Sequence, residues 1–343
     1  MPKQSILDLS LANLEAYLLS IGEKPFRGQQ IFSWIYQQLV LDFDVMKNIP
    51  HELRRRLNEK FYFPAADLQK IAVAADGTKK FLFRLQDGQQ IETVLIPAAR
   101  RTTVCVSCQA GCKFNCRFCA SGIGGWVRNL STGEIMIQIL KAGQHGKSAA
   151  THVVFMGTGE PLDNWKNVRA AIELINFSKG MNIAARRITV STCGLIPGMK
   201  ELAALDRQIE LAISLHGYND EVRSQLMPVN KTFPLAELIR ACRAYVRQTN
   251  RQITFEYVLI DGLTATEKAP AVLGKLLRGL TCKLNLIPYN PVPEFHWKSP
   301  SRNEIYRFRD ALARQGVHAT IRWSKGEGAE GACGQLRRVK SEE

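Results

Sequence analysis

Gly111-Cys-Lys-Phe-Asn-Cys-Arg-Phe-Cys119 places three thiols, Cys112, Cys116 and Cys119, at the spacing C-x3-C-x2-C. Three thiolates at this spacing hold three irons of a [4Fe-4S] cluster and leave the fourth iron without a protein ligand, open to a small molecule. An electron-transfer cluster would want a fourth cysteine, and a structural zinc site a closed set of four ligands, usually from paired C-x2-C units. The bland alternative is a group of buried structural cysteines, and three within eight residues weigh against it.

Working outward, the stretch lies just beyond Thr103–Val106, the first of a series of short apolar runs. His152–Met156, Ile188–Ser191, Glu210–Leu215, Thr254–Leu259 and Lys283–Ile287 follow, separated by helical stretches. Six strand-helix units predict an α/β fold built on a parallel (β/α)6 barrel, incomplete, over residues 99–325. In such barrels the chemistry collects in loops at the C-terminal ends of the strands. Residues 1–65 read as a helical accessory domain: Ser10 caps a helix with the apolar face Leu11, Leu14, Tyr17 and Leu18, ended by Gly22, and Ile31, Trp34, Ile35 and Gln38 begin a second face. Over 66–98 the period becomes two, with Asp76-Gly77 and Asp87-Gly88 where hairpin turns fall, so a short β extension is expected. Residues 326–343 are expected to be a C-terminal loop of small residues, Gly326-Glu-Gly-Ala-Glu-Gly-Ala-Cys333, carrying one thiol.

A chain of 343 residues with 45% hydrophobic content suffices for one large domain and an accessory one. No apolar run approaches the ~20 residues of a membrane span, and the N-terminus lacks a signal-peptide core, so a cytoplasmic protein with no membrane partner is expected. Nine unevenly spaced cysteines, five of them between 105 and 119, do not read as a disulfide framework, and an iron-sulfur cluster needs a reducing compartment. The net charge of +15 is high for an enzyme of small anionic metabolites and ordinary for one that docks on nucleic acid. Runs such as Arg54-Arg55-Arg56, Arg100-Arg101 and Arg337-Arg338 read equally as solvated surface or RNA contact.

Further candidates sit at strand ends. Gly157-Thr-Gly-Glu-Pro161 follows the second strand, where glycines allow close backbone approach and Glu160 accepts from an ammonium group. Ser191 ends the third strand, Ser214-Leu215-His216 the fourth, and Asn290 lies at the edge of the sixth. Cys105 ends the first strand and Cys333 lies on the last loop, so both can face one mouth, although each alone reads as an inert thiol. Cys193, Cys242 and Cys282 read as buried structural thiols, and the sequence assigns Cys108 no role.

Phe118, just before the last cysteine, completes the pattern typical of radical S-adenosylmethionine (SAM) enzymes. Over nearly its full length the chain resembles the RlmN/Cfr family of radical SAM RNA methyltransferases. The likeness is carried by Gly22-Glu-Lys-Pro-Phe-Arg27, Ile91-Glu-Thr-Val-Leu-Ile-Pro97, Cys105-Val-Ser-Cys-Gln-Ala-Gly-Cys112, Met156-Gly-Thr-Gly-Glu-Pro161, Ile213-Ser-Leu-His216, Asn285-Leu-Ile-Pro-Tyr-Asn-Pro291 and Ala332-Cys-Gly-Gln-Leu336. It implies that Cys112, Cys116 and Cys119 hold a [4Fe-4S] cluster, and that Gly159, Glu160, Ser191, Ser214, Leu215, His216 and Asn290 surround SAM. It implies Cys333 as the methyl-carrying cysteine, Cys105 as the resolving thiol and Glu92 as the proton acceptor.

The resemblance also implies a chemistry. Adenine C2 is an electron-poor amidine carbon and cannot attack the methyl of SAM directly, so two SAM molecules are consumed per methylation. One methylates the Cys333 thiolate; the other is cleaved to a 5'-deoxyadenosyl radical that abstracts hydrogen from that methyl group. The carbon radical adds to the base, a proton leaves, and Cys105 attacks the Cys333 sulfur to give a transient disulfide and methyladenine. The adenine must be splayed out of its stack. Expected partners are RNA, namely 23S rRNA with or without tRNA, and a reductant such as flavodoxin with its reductase; a monomer is expected. The chain departs from the family in its 326–332 segment, which lacks the usual Ile-Asp-Ala-Ala, in Thr158 where methionine is usual, and in stopping ten residues after Cys333. These departures leave open a paralogue with another RNA. The rival readings are methylation of adenine C8, a radical SAM activase or peptide-modifying enzyme with no use for Cys333, and an RNA-binding protein with a structural cluster.

Overall fold

The Ser10 hydroxyl accepts the N–H of Asn13 and starts the helix Leu11–Ser20, which buries Leu11, Leu14 and Leu18. In this structure, a computed structural model that describes residues 3–326, 328–329 and 331–336, the first helix packs on Phe26–Phe32, which passes into a π turn at Ser33–Gln37. The helix His51–Lys60 adds Leu53 and Leu57 to the same core. Strand β1 (Gln4–Ser5) pairs in parallel with β2 (Phe61–Tyr62) and so joins the two ends of the helical module. The Arg54-Arg55-Arg56 run is engaged within this module: Arg54 donates to the Asp44 carbonyl, Arg55 to Glu52 and Glu59, and Arg56 to the Ile21 carbonyl. The Arg337-Arg338 pair lies outside the described residues.

Residues 67–105 form an antiparallel meander of β3 (Asp67–Val73), β4 (Lys79–Arg84), β5 (Gln90–Ala98) and β6 (Arg101–Cys105). At both Asp-Gly turns the glycine has positive φ, +80° at Gly77 and +81° at Gly88, while the preceding aspartate accepts the N–H two residues on. A small hairpin follows, β7 (Gln109–Gly111) with β8 (Trp126–Asn129). Then come β9 (His152–Phe155), β10 (Ile188–Thr192), β11 (Glu210–Ser214), β12 (Ile253–Leu259), β13 (Cys282–Pro288) and β14 (Ala319–Ile321).

One ten-stranded sheet results, in the order β14-β13-β12-β11-β10-β9-β6-β5-β4-β3. From β6 to β14 every neighbouring pair is parallel, the arrangement of an open (β/α) barrel. The six expected strands are β6 and β9–β13; β14 is a seventh parallel strand that the apolar runs did not reveal. The β extension is continuous with the barrel, because β5 pairs with β6 from Val94–Cys105 to Ala98–Arg101.

Side chains alternate across each strand. Val104, Val153, Val190, Leu211, Phe255 and Leu284 face the helices and are buried. The opposite face carries Arg101, His152, Arg187, Glu210 and Lys283 at the N-terminal ends of the strands, and Met156, Ser191, Ser214, Glu256 and Ile287 at the C-terminal ends. The C-terminal ends of β10 and β11 are fastened by Arg223, whose side chain is completely buried. It donates to the carbonyls of Leu215 (3.1 Å) and Cys193 (2.7 Å) and to Asn230 Oδ1 (2.7 Å). Replacing Arg223→Met strands these acceptors without a donor, and we expect a loss on the order of 3 kcal/mol, read from the urea unfolding midpoint.

Candidate active site

The cysteine loop is pinched at its base by Gly111. With φ +79° this residue sits so close to the opposite strand that a Cβ would lie 1.8 Å from the Gly125 carbonyl oxygen, so only glycine fits. The loop is then pinned from outside: Arg117 donates its N–H to the Leu226 carbonyl at 2.8 Å, and Trp297 Nε1 donates to the Arg117 carbonyl at 2.9 Å. Cys112, Cys116 and Cys119 thereby line one cavity of about 800 Å³, counting its open mouth, together with Gly159, Glu160, Ser191, Ser214, His216 and Cys333.

The donor set fits an iron-sulfur cluster. Three soft sulfur donors come from one short loop, and among the described residues no three His, Cys, Asp or Glu side chains are gathered tightly enough for a single ion. A cluster of several metal atoms instead needs sulfurs spread around it. Burial pushes the Cys112 thiol up to about 12 and Cys116 well above its ordinary value. A bound metal reverses this by holding the sulfurs as thiolates.

Opposite the cysteines is the loop 157–161. Its glycines answer a close approach within the chain itself: a Cβ on Gly157 would lie 2.6 Å from the Val106 carbonyl oxygen, and one on Gly159 2.6 Å from the Gln109 Cβ. Glu160 is buried, and its carboxylate accepts the N–H groups of Leu162 (3.1 Å) and Cys193 (2.7 Å), bridging the β9 and β10 loops. Burial raises its pKa against those bonds. Remaining lone pairs on the two oxygens are available to a cation in the cavity. Cys193, expected to be an inert thiol, is buried yet lines the same wall.

His216 has φ +48°, accepts the Val258 N–H on Nδ1 at 3.0 Å, and meets Phe118 edge-on with centroids 4.6 Å apart. Burial, reinforced by Arg223, lowers its pKa to about 3, so the ring is neutral and carries its proton on Nε2. Leu215 is fully buried in the apolar core and does not line the cavity; its N–H donates to the Glu256 carbonyl. Asn290 also stands outside this cavity: its Nδ2 donates to the Cys333 carbonyl at 3.0 Å, and its Oδ1 accepts from Ser324.

The Cys333 loop is docked directly on the end of the cysteine loop. Ala120 donates its N–H to the Gly334 carbonyl at 2.7 Å, and Ser121 Oγ donates to the Leu336 carbonyl at 2.6 Å. Cys333 is exposed, Cys105 is buried, and both are free thiols. Burial, and next the neighbouring Cys333 sulfur, push the Cys105 thiol up to about 12, while Arg322 opposes. Arg322 is itself raised, first by Cys333 and also by Glu256 and Cys105, so one guanidinium stands among two sulfurs and a carboxylate. Glu256 is buried, 3.8 Å from Arg322, and accepts from Asn285 at 3.1 Å. Glu92, on β5, is buried in an ion pair with Lys80 at 2.9 Å. It does not line the cavity but lies under the last loop, since Lys80 Cβ and Val94 Cγ1 flank Gly331. Cys108 proves to be a fastener: its N–H donates to the Thr158 carbonyl, and its own carbonyl accepts from Asn164 and Leu130.

Sequence reasoning missed Arg322 and Glu256. Glu256 was legible as a lone acid inside an apolar strand. Arg322 belongs to β14's exit and gave no signal before that strand was seen.

The sequence pattern of the ribosomal RNA large subunit methyltransferase N-terminal domain matches residues 4–63, and that of the radical SAM superfamily matches residues 106–269. A probable dual-specificity RNA methyltransferase RlmN from Clostridioides difficile (strain 630) is 47% identical over 326 residues, covering 95% of each chain. A protein of the same description from Akkermansia muciniphila is 45% identical over 96% of this chain and 94% of its own. The crystal structure of a radical SAM methyltransferase from Sphaerobacter thermophilus superposes with TM-score 0.94 at 44% identity, over 97% of this chain and 99% of that one.

The neutral His216 generates an acid-stability prediction. The unfolded imidazole takes up a proton below its ordinary 6.5, whereas the folded one stays neutral down to about 3. Stability therefore falls as pH drops through that window, by at most about 1.4 kcal/mol per unit from this group. His216→Asn, which keeps an acceptor and tolerates positive φ, should show a shallower fall in urea midpoint between pH 6.5 and 4 than the wild type. Parallel curves would remove His216 from the account.

Proposed function

The chain belongs to the RlmN family of radical SAM RNA methyltransferases, and from that premise we propose that it methylates C2 of an adenosine in 23S rRNA, and in tRNA, with Cys333 as methyl carrier and Cys105 as resolving thiol. The observation that carries this reading is that Cys333 and Arg322 line one cavity with Cys112, Cys116 and Cys119, with the buried Cys105 close enough for both to act on it. Radical SAM enzymes use a [4Fe-4S] cluster and SAM, and here these three cysteines would hold the cluster. Gly159, Glu160, Ser191, Ser214 and His216 would surround SAM, backed by Leu215 and by Asn290 at the loop anchor. When bound, this pair supplies one-electron cleavage of SAM and hence hydrogen-atom abstraction from an unactivated methyl group.

The remaining work falls to the protein's own side chains. Cys333, exposed on its loop beside Arg322, is the thiol that a methyl donor can reach. Arg322 also acts on Cys105, drawing its thiol down against the burial that raises it. Glu92, ion-paired with Lys80 at 2.9 Å beneath the loop, takes the proton released from the adduct carbon. The unpaired electron of the adduct must leave as well, and the bound cluster would be its one-electron acceptor. Cys105, as thiolate, then attacks the Cys333 sulfur, so that an S–S bond forms, the S–C bond breaks, and the carbon takes up a proton as the methyl of the product. Two electrons must reopen the disulfide before another turnover, which suits a reducing cytoplasm and a donor such as flavodoxin with its reductase. The monomer is complete for this cycle, since both thiols belong to one chain.

Methylation of rRNA and tRNA transcripts with methyl-labelled SAM, followed by mapping of the modified base, tests the reading; label at adenine C8 would overturn C2 specificity, and none in either RNA would overturn the substrate class. Cys333→Ala should lose RNA methylation entirely while retaining the iron content of the wild type. Cys105→Ala should instead accumulate a covalent protein-RNA species, visible as a slow band on a denaturing gel. A Cys105→Ala enzyme that turns over normally would exclude the disulfide step.

A further inference from the structure

Below the thiols the barrel is hollow. A space of about 1,960 Å³, counting its open side, runs from Cys333 down the inward face of the strands to a floor at their N-terminal ends. Its upper wall contains Trp323, and its floor contains Arg101, Arg186, Arg187 and Lys283. The floor cations come from three separated segments: Arg101 begins β6, Arg186 and Arg187 precede β10, and Lys283 is the second residue of β13. None of the four lies within ion-pair distance of a described carboxylate; of the two acids lining the space, Glu210 is paired with Arg251, and Glu256 with Arg322 while also feeling Lys283. His152 lines the same space, its pKa lowered by burial and by Arg101 and Arg187, so both guanidinium groups act on one imidazole. Like charges lining one space from three segments set up a positive potential that attracts an anionic ligand.

The upper wall has a second feature. Trp323 is 39% exposed and Tyr306 41%, with ring centroids 6.2 Å apart, and Arg302 and Arg309 stand over them at 5.0 and 5.2 Å. Exposed aromatic rings flanked by arginines next to a cationic groove are the platform on which successive unpaired bases stack.

We propose that this groove holds the single-stranded nucleotides next to the target base, one base stacking on Trp323 and backbone phosphates lying against Arg101, Arg186, Arg187 and Lys283. The inference rests on the RNA methyltransferase reading and adds to it where the substrate strand runs. The seam at the β14 edge lets a strand enter sideways, and continuity of the space with Cys333 puts the neighbouring base at the reacting thiol. No chemistry is assigned to these residues; they position RNA.

The test is binding of a fluorescein-labelled RNA hairpin with an adenosine in its loop, by anisotropy across a salt series, to cluster-loaded wild type, to the double variant Arg186→Gln/Arg187→Gln and to Trp323→Ala. The double variant should lower the slope of log affinity against log salt by about 0.7 for each phosphate contact removed. Trp323→Ala should weaken binding at least fivefold with the slope unchanged, the mark of lost stacking rather than lost charge. Iron content and SAM cleavage in the absence of RNA should match the wild type in both. An unchanged slope in the double variant, or unchanged affinity in Trp323→Ala, overturns the proposal. Binding is read separately from methyl transfer, so a wild type that binds with the expected slopes and leaves every RNA unmethylated would refute the enzymatic reading and keep the groove.

Discussion

An open parallel sheet cannot fill its own interior. The outward face of the strands from β6 to β13 is apolar and covered by helices, which is where burial drives folding. The inward face lacks enough strands around it to close a packed core, so polar side chains there line open space. Everything functional follows from that asymmetry. Period-two alternation forces one set of residues inward, and the parallel direction puts Ser191, Ser214 and Glu256 at one end and Arg187, Glu210 and Lys283 at the other. The cysteine loop is then laid across the C-terminal end, held by the pinch at Gly111 and the bonds from Leu226 and Trp297.

Within that end, electrostatics rather than proximity alone distinguishes the two thiols. Cys333 is exposed and Cys105 buried, and both share one guanidinium. Burial and the neighbouring Cys333 sulfur raise the Cys105 thiol, and Arg322 opposes them. Glu256 lies 3.8 Å from Arg322 and balances its charge. One positive charge thus faces two sulfurs and a carboxylate at this end of the barrel.

Much of this was legible in the sequence, for identifiable reasons. Six parallel strands stand where short apolar runs were read, because a strand buried on its outer face under helices must be apolar there. The Asp-Gly turns were equally plain, since only glycine adopts the φ near +80° seen at Gly77 and Gly88. β14 was missed because its three residues carry no recognisable run. The glycines of the 157–161 loop were read as room for a ligand, yet the contacts that forbid a Cβ are with Val106 and Gln109, a packing requirement that spacing cannot reveal. Leu215 and Asn290 sit one layer away from the cavity, for a motif records which residues travel together and not which of them point inward. Glu256 and Arg322 are far apart in the chain and meet only through the β12–β13–β14 register.

The segment before Cys333 is one of the places where the chain departs from the family pattern, and the described residues show how the loop is held at its two ends. Its entry is fixed by Gly326, which has φ +76° and donates its N–H to Asp76 Oδ2 at 3.2 Å. Its exit is fixed by Gly334, with φ +85° and a carbonyl bonded to Ala120, and by the Asn290 bond to the Cys333 carbonyl. These anchors are backbone groups of Gly326, Cys333 and Gly334, and their partners are the Asp76 and Asn290 side chains and the Ala120 N–H. The loop that carries Cys333 is thus held at its entry and exit by Asp76, Ala120 and Asn290, supplied by the β extension, the end of the cysteine loop and the exit of β13, so three parts of the fold far apart in the chain fix where that thiol lies.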